Sequence, residues 1–376
     1  MRHDSDIIII GAGVVGCAIA RELSLKHPEK KIIVLDKLND VGLETSSKNS
    51  GVLHSGIHQN PNFLKSHLAE DGSKLAAKYA KEKHLSILDS GMLIVVSFRA
   101  INRGLYRELR QFLFLRHIFK NGKRQGIKVK IISPFKLKKM APGIRALGGI
   151  FIPDVWVVDS LAFTQSLEQD AQNMGVKFYF HSPVMKIRKQ INKYEVFTDH
   201  SWFSAPVVIN SAGLYADDVA GMAGFNEYKI YPWRGEYYEV LREKAKLVNR
   251  LIYPVVDKKS PSKGMHFSPR VDGRLFVGPN ARLVPEKNYY LQDKTPVEVF
   301  VQHIQKYIPS IEAKDLRWAY SGIRPKTTPG AEESDFIINV DSKNPTFVNL
   351  IGIESPGLAS SMAIAKYVHK LLKTAC

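Results

Sequence analysis

The 376-residue chain has only two cysteines, Cys17 and Cys376, which argues against a disulfide-stapled scaffold. No apolar run approaches the about 18 residues of a membrane-spanning helix, and there is no internal repeat or low-complexity tract. Hydrophobic residues make up 44% of the chain and charged residues 24%, values that exclude a disordered or fibrous protein. Because the N-terminus reaches a strand-like run too directly for a signal peptide, we expect a cytoplasmic protein.

Acidic residues are scarce relative to basic ones. The 54 Lys and Arg against 36 Asp and Glu give a formal net charge of +18. Between Arg99 and Lys139, 13 basic residues accompany a single acid, Glu108. The segment from Leu105 to Phe119 mixes apolar residues with arginines, so residues 99–139 predict peripheral contact with the cytoplasmic face of an anionic membrane. The competing interpretation is a solvated basic face over a helix packed on the core.

The chain opens with a β-α-β pattern. Residues 7–10 are four isoleucines, typical of a strand buried on both faces, and residues 14–26 fit a helix that Pro28 ends. A second buried strand follows over residues 31–35. Parallel strands joined by a helix need cover on both faces of their sheet, so an α/β domain is predicted at the start of the chain.

A glycine signature lies between the first strand and the first helix. Gly11, Gly13 and Gly16 have the spacing that permits a tight turn, close approach of a pyrophosphate and close packing of helix on strand. The free N–H groups at the helix N-terminus favour phosphates. Asp36, 20 residues beyond Gly16, can accept hydrogen bonds from ribose hydroxyls. This combination predicts a dinucleotide site.

The cofactor is predicted to be FAD. Residues 206–213 form a strand that ends in Ala212 and Gly213, small residues that let the backbone pass close to a nucleotide a second time. The Gly-x-Gly-x-x-Gly pattern occurs once, so a second, nicotinamide site is not expected. These features favour bound FAD that is reduced by the substrate itself.

The remaining pattern predicts a discontinuous nucleotide domain. Helical stretches are predicted over residues 62–82, 102–121, 160–174 and 358–372, and strands dominate residues 228–280. We therefore predict an α/β fold, α+β in part, in which a Rossmann-like FAD-binding domain carries an inserted mixed-sheet substrate domain. The FAD-binding domain comprises residues 1–90, 156–225 and 321–376, and the substrate domain comprises residues 91–155 and 226–320.

Several sequence blocks resemble one enzyme superfamily. The blocks are residues 46–58, 63–65, 148–151, 158–159, 233–237, 264–267, 278–281 and 322–325. They resemble the D-amino-acid-oxidase-like superfamily of FAD-dependent oxidoreductases, and within it the L-2-hydroxyglutarate dehydrogenase/oxidase group most. Two features depart from that group: His58 and Gln59 replace a usual pair of tyrosines, and the segment between Ala281 and Ser321 is shorter. These departures leave the substrate open.

The resemblance implies roles for individual residues. His54 and His266 compete as proton acceptor, each with a structural histidine as the alternative. Arg324, followed by Pro325 in an expected loop, would anchor a substrate carboxylate, and Lys65 and Arg234 would meet a second acidic group. The turn before the last helix would place a helix N-terminus near the flavin. Expected FAD contacts are Gly11, Gly13, Val14, Val15, Gly16, Asp36, Lys37, Thr45, Ser46, Asn49, Ser50, Gly51, Val184, Ala212, Gly213, Gly322, Gly357, Leu358 and Ala359.

The expected activity is oxidation of a small 2-hydroxy acid, such as L-2-hydroxyglutarate, to the 2-oxo acid by hydride transfer to flavin N5. Oxygen or a quinone would be the electron acceptor, and no metal site is expected. An amino-acid or amine oxidase of the glycine or sarcosine type and a glycerol-3-phosphate dehydrogenase are the enzymatic alternatives. The non-enzymatic alternative is a nucleic-acid-binding protein, but no binding motif accompanies the basic charge, so no nucleic-acid partner is expected.

Overall fold

A computed structural model describes residues 2–97, 106–256, 264–341 and 346–375. The helices are α1 Val14–Lys26, α2 Leu64–Glu82, α3 Tyr106–Arg124, α4 Pro134–Met140, α5 Ser160–Asn173, α6 Ala216–Met222, α7 Arg242–Ala245, α8 Val297–Ile304 and α9 Gly357–Ala375. The strands are β1 Arg2–Asp4, β2 Ile7–Ile10, β3 Ile32–Leu35, β4 Val52–Leu53, β5 Ile87–Leu88, β6 Met92–Ser97, β7 Lys130–Ile132, β8 Ala146–Ile152, β9 Trp156–Val158, β10 Lys177–Tyr179, β11 Lys186–Lys189, β12 Tyr194–Phe197, β13 Trp202–Ala205, β14 Val207–Asn210, β15 Tyr231–Val240, β16 Leu251–Pro254, β17 His266–Pro269, β18 Leu275–Gly278, β19 Arg282–Leu283, β20 Leu316–Lys326, β21 Ile337–Asp341 and β22 Thr346–Ile351.

A nucleotide-type sheet is built from distant parts of the chain. Within the described residues its strand order is β10-β3-β2-β14-β22-β21, parallel except for the edge strand β21. The isoleucines of β2 alternate between its two faces. Ile7 and Ile9 pack with α1, α5 and α9, whereas Ile8 and Ile10 face the small sheet β1-β13-β12-β11. Burial on both faces explains the uninterrupted apolar run.

A second, larger sheet carries the other half of the molecule. In the described part its order is β19-β15-β18-β17-β16-β6-β8-β7, with β20 paired along β15. The core cluster on one face includes residues of α4 and α8, and that on the other includes residues of α3. A short sheet, β4-β9-β5, lies between these parts of the chain. The predicted fold class, α/β with a mixed second sheet, is confirmed.

The helix predictions agree closely with the structure. Helix α1 has the predicted bounds, and α2 begins two residues later than predicted. The predicted 102–121 helix corresponds to α3, although residues 98–105 lie outside the described part, as does the start of the basic segment.

Strand β20 was not predicted. Because it crosses the expected domain boundary at residue 321, we propose placing that boundary after Lys326. No described helix is both long and apolar enough to cross a bilayer.

Candidate flavin and substrate site

The glycine turn brings α1 close to the end of β2. Gly11 has φ +104°, and a Cβ there would lie 2.6 Å from the carbonyl oxygen of Ser211 on the neighbouring β14 connection. A Cβ on Gly16 would overlap the carbonyl oxygen of Gly11. Both glycines are therefore required by close backbone packing. The result is that the N-terminus of α1, including Gly13 and Val14, borders a large cavity.

Asp36 stabilises this turn from the end of β3. One of its carboxylate oxygens accepts from the N–H of Ala12 at 2.7 Å and the other from the N–H of Leu38 at 2.8 Å. Each oxygen retains a further lone pair for a ligand hydroxyl. The neighbouring Lys37 pairs with Glu44 at 2.9 Å, so its charge is already engaged. The assignment of Asp36 and Lys37 to the cofactor stays a prediction.

The loop of residues 45–51 connects the two large sheets. The hydroxyl of Thr45 donates to the carbonyl of Ile323 on β20 at 2.9 Å. The backbone of Asn49 accepts from Arg270 and from Tyr320 at 2.6 and 2.8 Å. A Cβ on Gly322 would overlap the carbonyl oxygen of Lys48, so the loop lies directly on β20. These contacts hold the loop against the large sheet, so residues near the glycine turn and residues of the large sheet border the same cavity.

The cavity between these parts has a volume of about 730 Å³, within the roughly 300–1,000 Å³ typical of ligand sites. The predicted site residues that line it are Gly13, Val14, Val15, Thr45, Ser46, Asn49, Ser50, His54, Lys65, Gly213, His266, Gly322, Arg324, Gly357 and Leu358. Those absent from its lining are Gly11, Gly16, Asp36, Lys37, Gly51, Val184, Ala212, Arg234 and Ala359. Of these, Val184 packs against the core between the nucleotide sheet and the small sheet, and Ala359 is fully buried beside α2.

Arg324 lines the cavity, and its role as a carboxylate anchor stays a prediction. It lies on strand β20 rather than in the expected loop, and its guanidinium lies over Gly235 of β15, where a Cβ would be 3.2 Å from Nη2. Among the described residues it has neither an ion pair nor a hydrogen bond. A half-buried arginine facing a cavity with no internal partner is suited to an anionic ligand.

Arg234 does not line the cavity, and its expected role as a substrate ligand stays a prediction that its own contacts do not support. It is fully buried, and its guanidinium donates to the backbone carbonyls of Tyr289, Gln292 and Asp293. It also lies 3.7 Å from the carboxylate of Glu236. Because Gly235 borders the cavity and strand side chains alternate, its neighbour points to the other face of β15. Arg234 therefore fastens the 289–293 segment to the strand.

Lys65 lines the cavity, but its positive charge is already paired with two glutamates of the protein. Its side chain is 1% exposed, and its Nζ lies 3.2 Å from Glu333 and 3.5 Å from Glu354. Lys326, another lining lysine, donates to the carbonyls of Gly330 and Glu332. Burial lowers the pKa of Lys326, and Glu354 opposes this shift. Both lysines hold the 327–335 segment at the cavity wall, so Arg324 differs from them in having its charge available.

His54 and His266 meet at a buried tyrosine. The ring of Tyr253 stacks on His266 with centroids 3.9 Å apart and contacts His54 edge to face at 5.8 Å. The Tyr253 hydroxyl and His266 Nε2 are 2.9 Å apart, and His266 Nδ1 lies 3.2 Å from the carbonyl of Gly264. Burial and nearby Tyr237 raise the pKa of Tyr253 well above its ordinary value, opposed by Arg324 and Arg270. Tyr253 thus remains a neutral phenol.

Sequence reasoning missed Tyr253 and one whole wall of the cavity. The inner face of α3 contributes Phe114, His117, Ile118, Asn121 and Arg124. Their spacing of three and four residues is that of one helix face, but the sequence does not show what this face covers. Gly122 allows the approach, because a Cβ there would lie 2.8 Å from the Ile57 side chain. His58 and Gln59, the departure from the resembling group, also line the cavity.

The residues present fit FAD. The N-termini of α1 and α9 both border the cavity and supply partial positive charge for phosphates and for the flavin ring. Gly213 borders it with φ +56°, and no atom lies within 4 Å of where its Cβ would be. A dinucleotide can therefore pass close to the backbone there. When bound, FAD would supply the electron acceptor for oxidation of a substrate.

Comparison with known proteins supports this assignment. The family model described as DAO, FAD dependent oxidoreductase, matches residues 6–371. A glycerol 3-phosphate dehydrogenase from Caloramator mitchellensis is 30% identical, with 98% of this chain and 74% of the relative covered. The mitochondrial L-2-hydroxyglutarate dehydrogenase of Arabidopsis thaliana is also 30% identical, with 98% and 83% covered.

Solved structures agree in fold. Dithionite-reduced L-alpha-glycerophosphate oxidase from Mycoplasma pneumoniae with FAD bound has a TM-score of 0.86 and 27% identity, covering 99% of this chain and 95% of that one. A glycine oxidase from Geobacillus kaustophilus has a TM-score of 0.82 at 19% identity, with coverage of 99% and 95%, and supports the fold alone. The fold and cavity define an oxidoreductase that uses FAD. The chain belongs to the DAO family of FAD-dependent oxidoreductases.

Proposed function

We propose that the protein oxidises the secondary alcohol of a small anionic substrate to a ketone. A 2-hydroxy acid of the L-2-hydroxyglutarate type is the first candidate. The observation that carries the proposal is the guanidinium of Arg324, without an internal partner among the described residues, in the same cavity as His54. A guanidinium holds a carboxylate through two parallel hydrogen bonds and so fixes the adjacent carbon.

The residues divide the chemistry between them. Arg324 binds and orients the carboxylate, and His54, which is 8% exposed at the cavity wall, takes the proton of the substrate hydroxyl. Bound FAD supplies the hydride acceptor. The N-terminus of α9, with Gly357 and Leu358 at the cavity, favours negative charge that develops nearby.

Glycerol 3-phosphate is the second candidate. His58 and Gln59 stand where the L-2-hydroxyglutarate group usually has two tyrosines, and both line the cavity. Arg324 suits a phosphate as well as a carboxylate. The similar proteins named for glycerol phosphate include the Caloramator mitchellensis dehydrogenase, found by sequence, and the Mycoplasma pneumoniae oxidase, found by structure. The two candidates share a CH–OH donor and an anionic group, so the same residues serve either.

An anaerobic substrate panel tests the proposal. The purified protein with FAD is mixed with L-2-hydroxyglutarate, glycerol 3-phosphate, glycine and sarcosine, and the flavin absorbance is followed. We expect one of the two alcohols to bleach the flavin band. Bleaching by glycine or sarcosine with no response to either alcohol would refute the assignment and favour an amine oxidase. Oxygen consumption against reduction of a soluble quinone then identifies the electron acceptor.

We also propose that the outer face of α3 binds an anionic membrane. Leu109 and Leu113 are 58% and 59% exposed, and Arg116, Lys120 and Lys123 lie on the same exposed side of the helix. Apolar side chains can enter the headgroup region while the cations meet lipid phosphates. Because the inner face of α3 lines the cavity, docking there would bring a membrane quinone near the cavity mouth.

Vesicle sedimentation tests this surface. We expect binding to phosphatidylglycerol vesicles at low salt and little binding to phosphatidylcholine vesicles. The double variant Leu109→Ser and Leu113→Ser should bind phosphatidylglycerol at least tenfold more weakly, since burying even one leucine contributes on the order of 1.5–3 kcal/mol and each 1.4 kcal/mol corresponds to a factor of about ten. Leu25→Ser, which changes an exposed leucine on α1, should bind like wild type. Equal binding to both lipids would contradict the proposal.

A further inference from the structure

His266 has both ring nitrogens engaged in hydrogen bonds. A carbonyl oxygen only accepts, so the contact with Gly264 requires the proton on Nδ1. In the neutral ring Nε2 is then an acceptor, and the hydroxyl of Tyr253 donates to it. His266 is 4% exposed and Tyr253 has no exposed surface. The imidazole is thus placed to hold Tyr253 rather than to receive a proton from a substrate.

Tyr253 in turn forms the wall behind His54. His266 stacks on the tyrosine ring at 3.9 Å with an interplanar angle of 14°, so the ring cannot tilt without breaking this stack and the hydrogen bond. His54 meets the same ring edge to face at 5.8 Å, and His58 contacts it at 5.6 Å. Edge-to-face pairs have a preferred geometry that resists rotation of either ring.

We propose that Tyr253 and His266 are positioning residues that fix the imidazole of His54 for proton transfer. The inference rests on the proposed function, because it assigns the proton to His54 and leaves His266 as a hydrogen-bond acceptor. The pair acts through ring contact, and neither member exchanges a proton with the substrate. Among the described residues, the titratable and charged groups that face the pair include His54, His58, Tyr237, Arg270 and Arg324.

Two substitutions of His266 separate positioning from proton acceptance. In His266→Gln the amide oxygen can accept from Tyr253 and the amide nitrogen can donate to Gly264, but the side chain cannot take a proton. We expect its limiting rate of anaerobic flavin reduction to stay within about fivefold of wild type. His266→Leu makes neither hydrogen bond, and we expect at least a tenfold loss, with the dissociation constant of the 2-oxo acid product changed less than twofold.

The pH profile and a buried control complete the rate test. His266→Gln should keep the wild-type dependence of the reduction rate on pH, because His54 remains the proton acceptor. Tyr253→Phe keeps the ring and should lose less than His266→Leu, and Tyr194→Phe, at a buried tyrosine outside the cavity lining, should match wild type. A loss of about 100-fold or more in His266→Gln, with disappearance of its acid limb, would make His266 the proton acceptor and overturn the proposal.

A spectroscopic readout works without turnover. In protein labelled with ¹⁵N-histidine we expect a neutral His266 with the proton on Nδ1, and a shift of the His54 signals in Tyr253→Phe and His266→Leu. A His266 with its proton on Nε2, or His54 signals indifferent to both substitutions, would refute the positioning role. If no alcohol reduces the wild-type flavin while these signals behave as expected, the proposed function is wrong, but the Tyr253–His266 pair still fixes the ring of His54.

Discussion

Replacing Arg324 by glutamine tests the anchor most directly, because it removes the charge and keeps a polar side chain of similar reach. The guanidinium lies over Gly235 and has no internal partner in the described part of the chain. The substitution therefore leaves no buried carboxylate without its cation. Any change in ligand affinity then reports the lost contact with the ligand and not a structural rearrangement of the protein interior.

The expected size follows from the hydrogen bonds that are lost. Hydrogen bonds to a charged group contribute about 1.5–3 kcal/mol, and each 1.4 kcal/mol corresponds to a factor of about ten. We expect the 2-oxo acid product to bind Arg324→Gln about 10- to 100-fold more weakly than wild type. The assay is a titration of the oxidised protein, in which the product changes the flavin absorbance spectrum.

Arg317→Gln is the matched control. Arg317 lies on the same strand, β20, is exposed, and pairs with Glu239 at 2.8 Å. Exposed ion pairs contribute about 0–1 kcal/mol, so this variant should bind product within about twofold of wild type. Equal affinities in Arg324→Gln and wild type would show that this guanidinium does not bind the product. An equal loss in both variants would show that binding depends on overall charge and not on the position of Arg324.

Three further predictions follow from local geometry. Gly322→Ala places a Cβ on the carbonyl oxygen of Lys48, and we expect it to lose FAD affinity while circular dichroism shows a folded chain. Burial raises the pKa of Glu236, but hydrogen bonds from neighbouring groups outweigh this effect, so the pKa is lower than that of an ordinary glutamate. The ionised carboxylate therefore stabilises the folded protein at neutral pH. This stabilisation is lost as the pH falls through the folded-state pKa. Urea unfolding of Glu236→Gln should show lower stability at pH 7 and a weaker acid dependence than wild type. Asp36→Asn puts an amide against the N–H groups of Ala12, in the glycine turn, and of Leu38. FAD titration of the apoprotein should show about tenfold weaker binding. Unchanged values would contradict each of these three predictions.

The features predicted well are those set by nearby residues. The first strand, the glycine turn and α1 depend on the order of residues 7–26, and the structure has α1 at the predicted bounds. The buried run of β2 follows from cover on both faces of a parallel sheet. The dinucleotide site was predicted from the same local pattern, and the choice of FAD, made from residues 206–213 and the single glycine motif, agrees with the family match.

The features that were missed depend on pairing across the chain. Strand β20 pairs with β15, some eighty residues earlier, and this pairing places Arg324 over Gly235. Sequence reasoning found Arg324 through a motif but put it in a loop. The contacts of Arg234 were missed for the same reason, because the carbonyls to which it donates lie 55 to 59 residues further along the chain. The alternation of strand side chains separates Arg234 from the cavity once Gly235 is known to face it.

The cavity wall formed by α3 was missed for the same reason, because it depends on contacts between distant parts of the chain. The amphipathic pattern and the basic charge were visible in the sequence, and they drew attention to the outer face of the helix. The inner face lines the cavity, and there Gly122 of α3 lies against the side chain of Ile57, a contact between segments about 65 residues apart. No local signal identifies that contact. Tyr253 could not be identified from local sequence either, because it is the pairing of β16 with β17 that brings it beside His266.

The central claim is that the protein removes hydrogen from the carbon that bears the hydroxyl of an anionic substrate. Deuterium at that carbon of L-2-hydroxyglutarate or glycerol 3-phosphate, whichever reduces the flavin, tests it in a rapid anaerobic mixing experiment. Cleavage of the C–H bond predicts slower flavin reduction by the deuterated alcohol than by the ordinary one. Equal rates for both, or a flavin that neither alcohol reduces, would contradict the account.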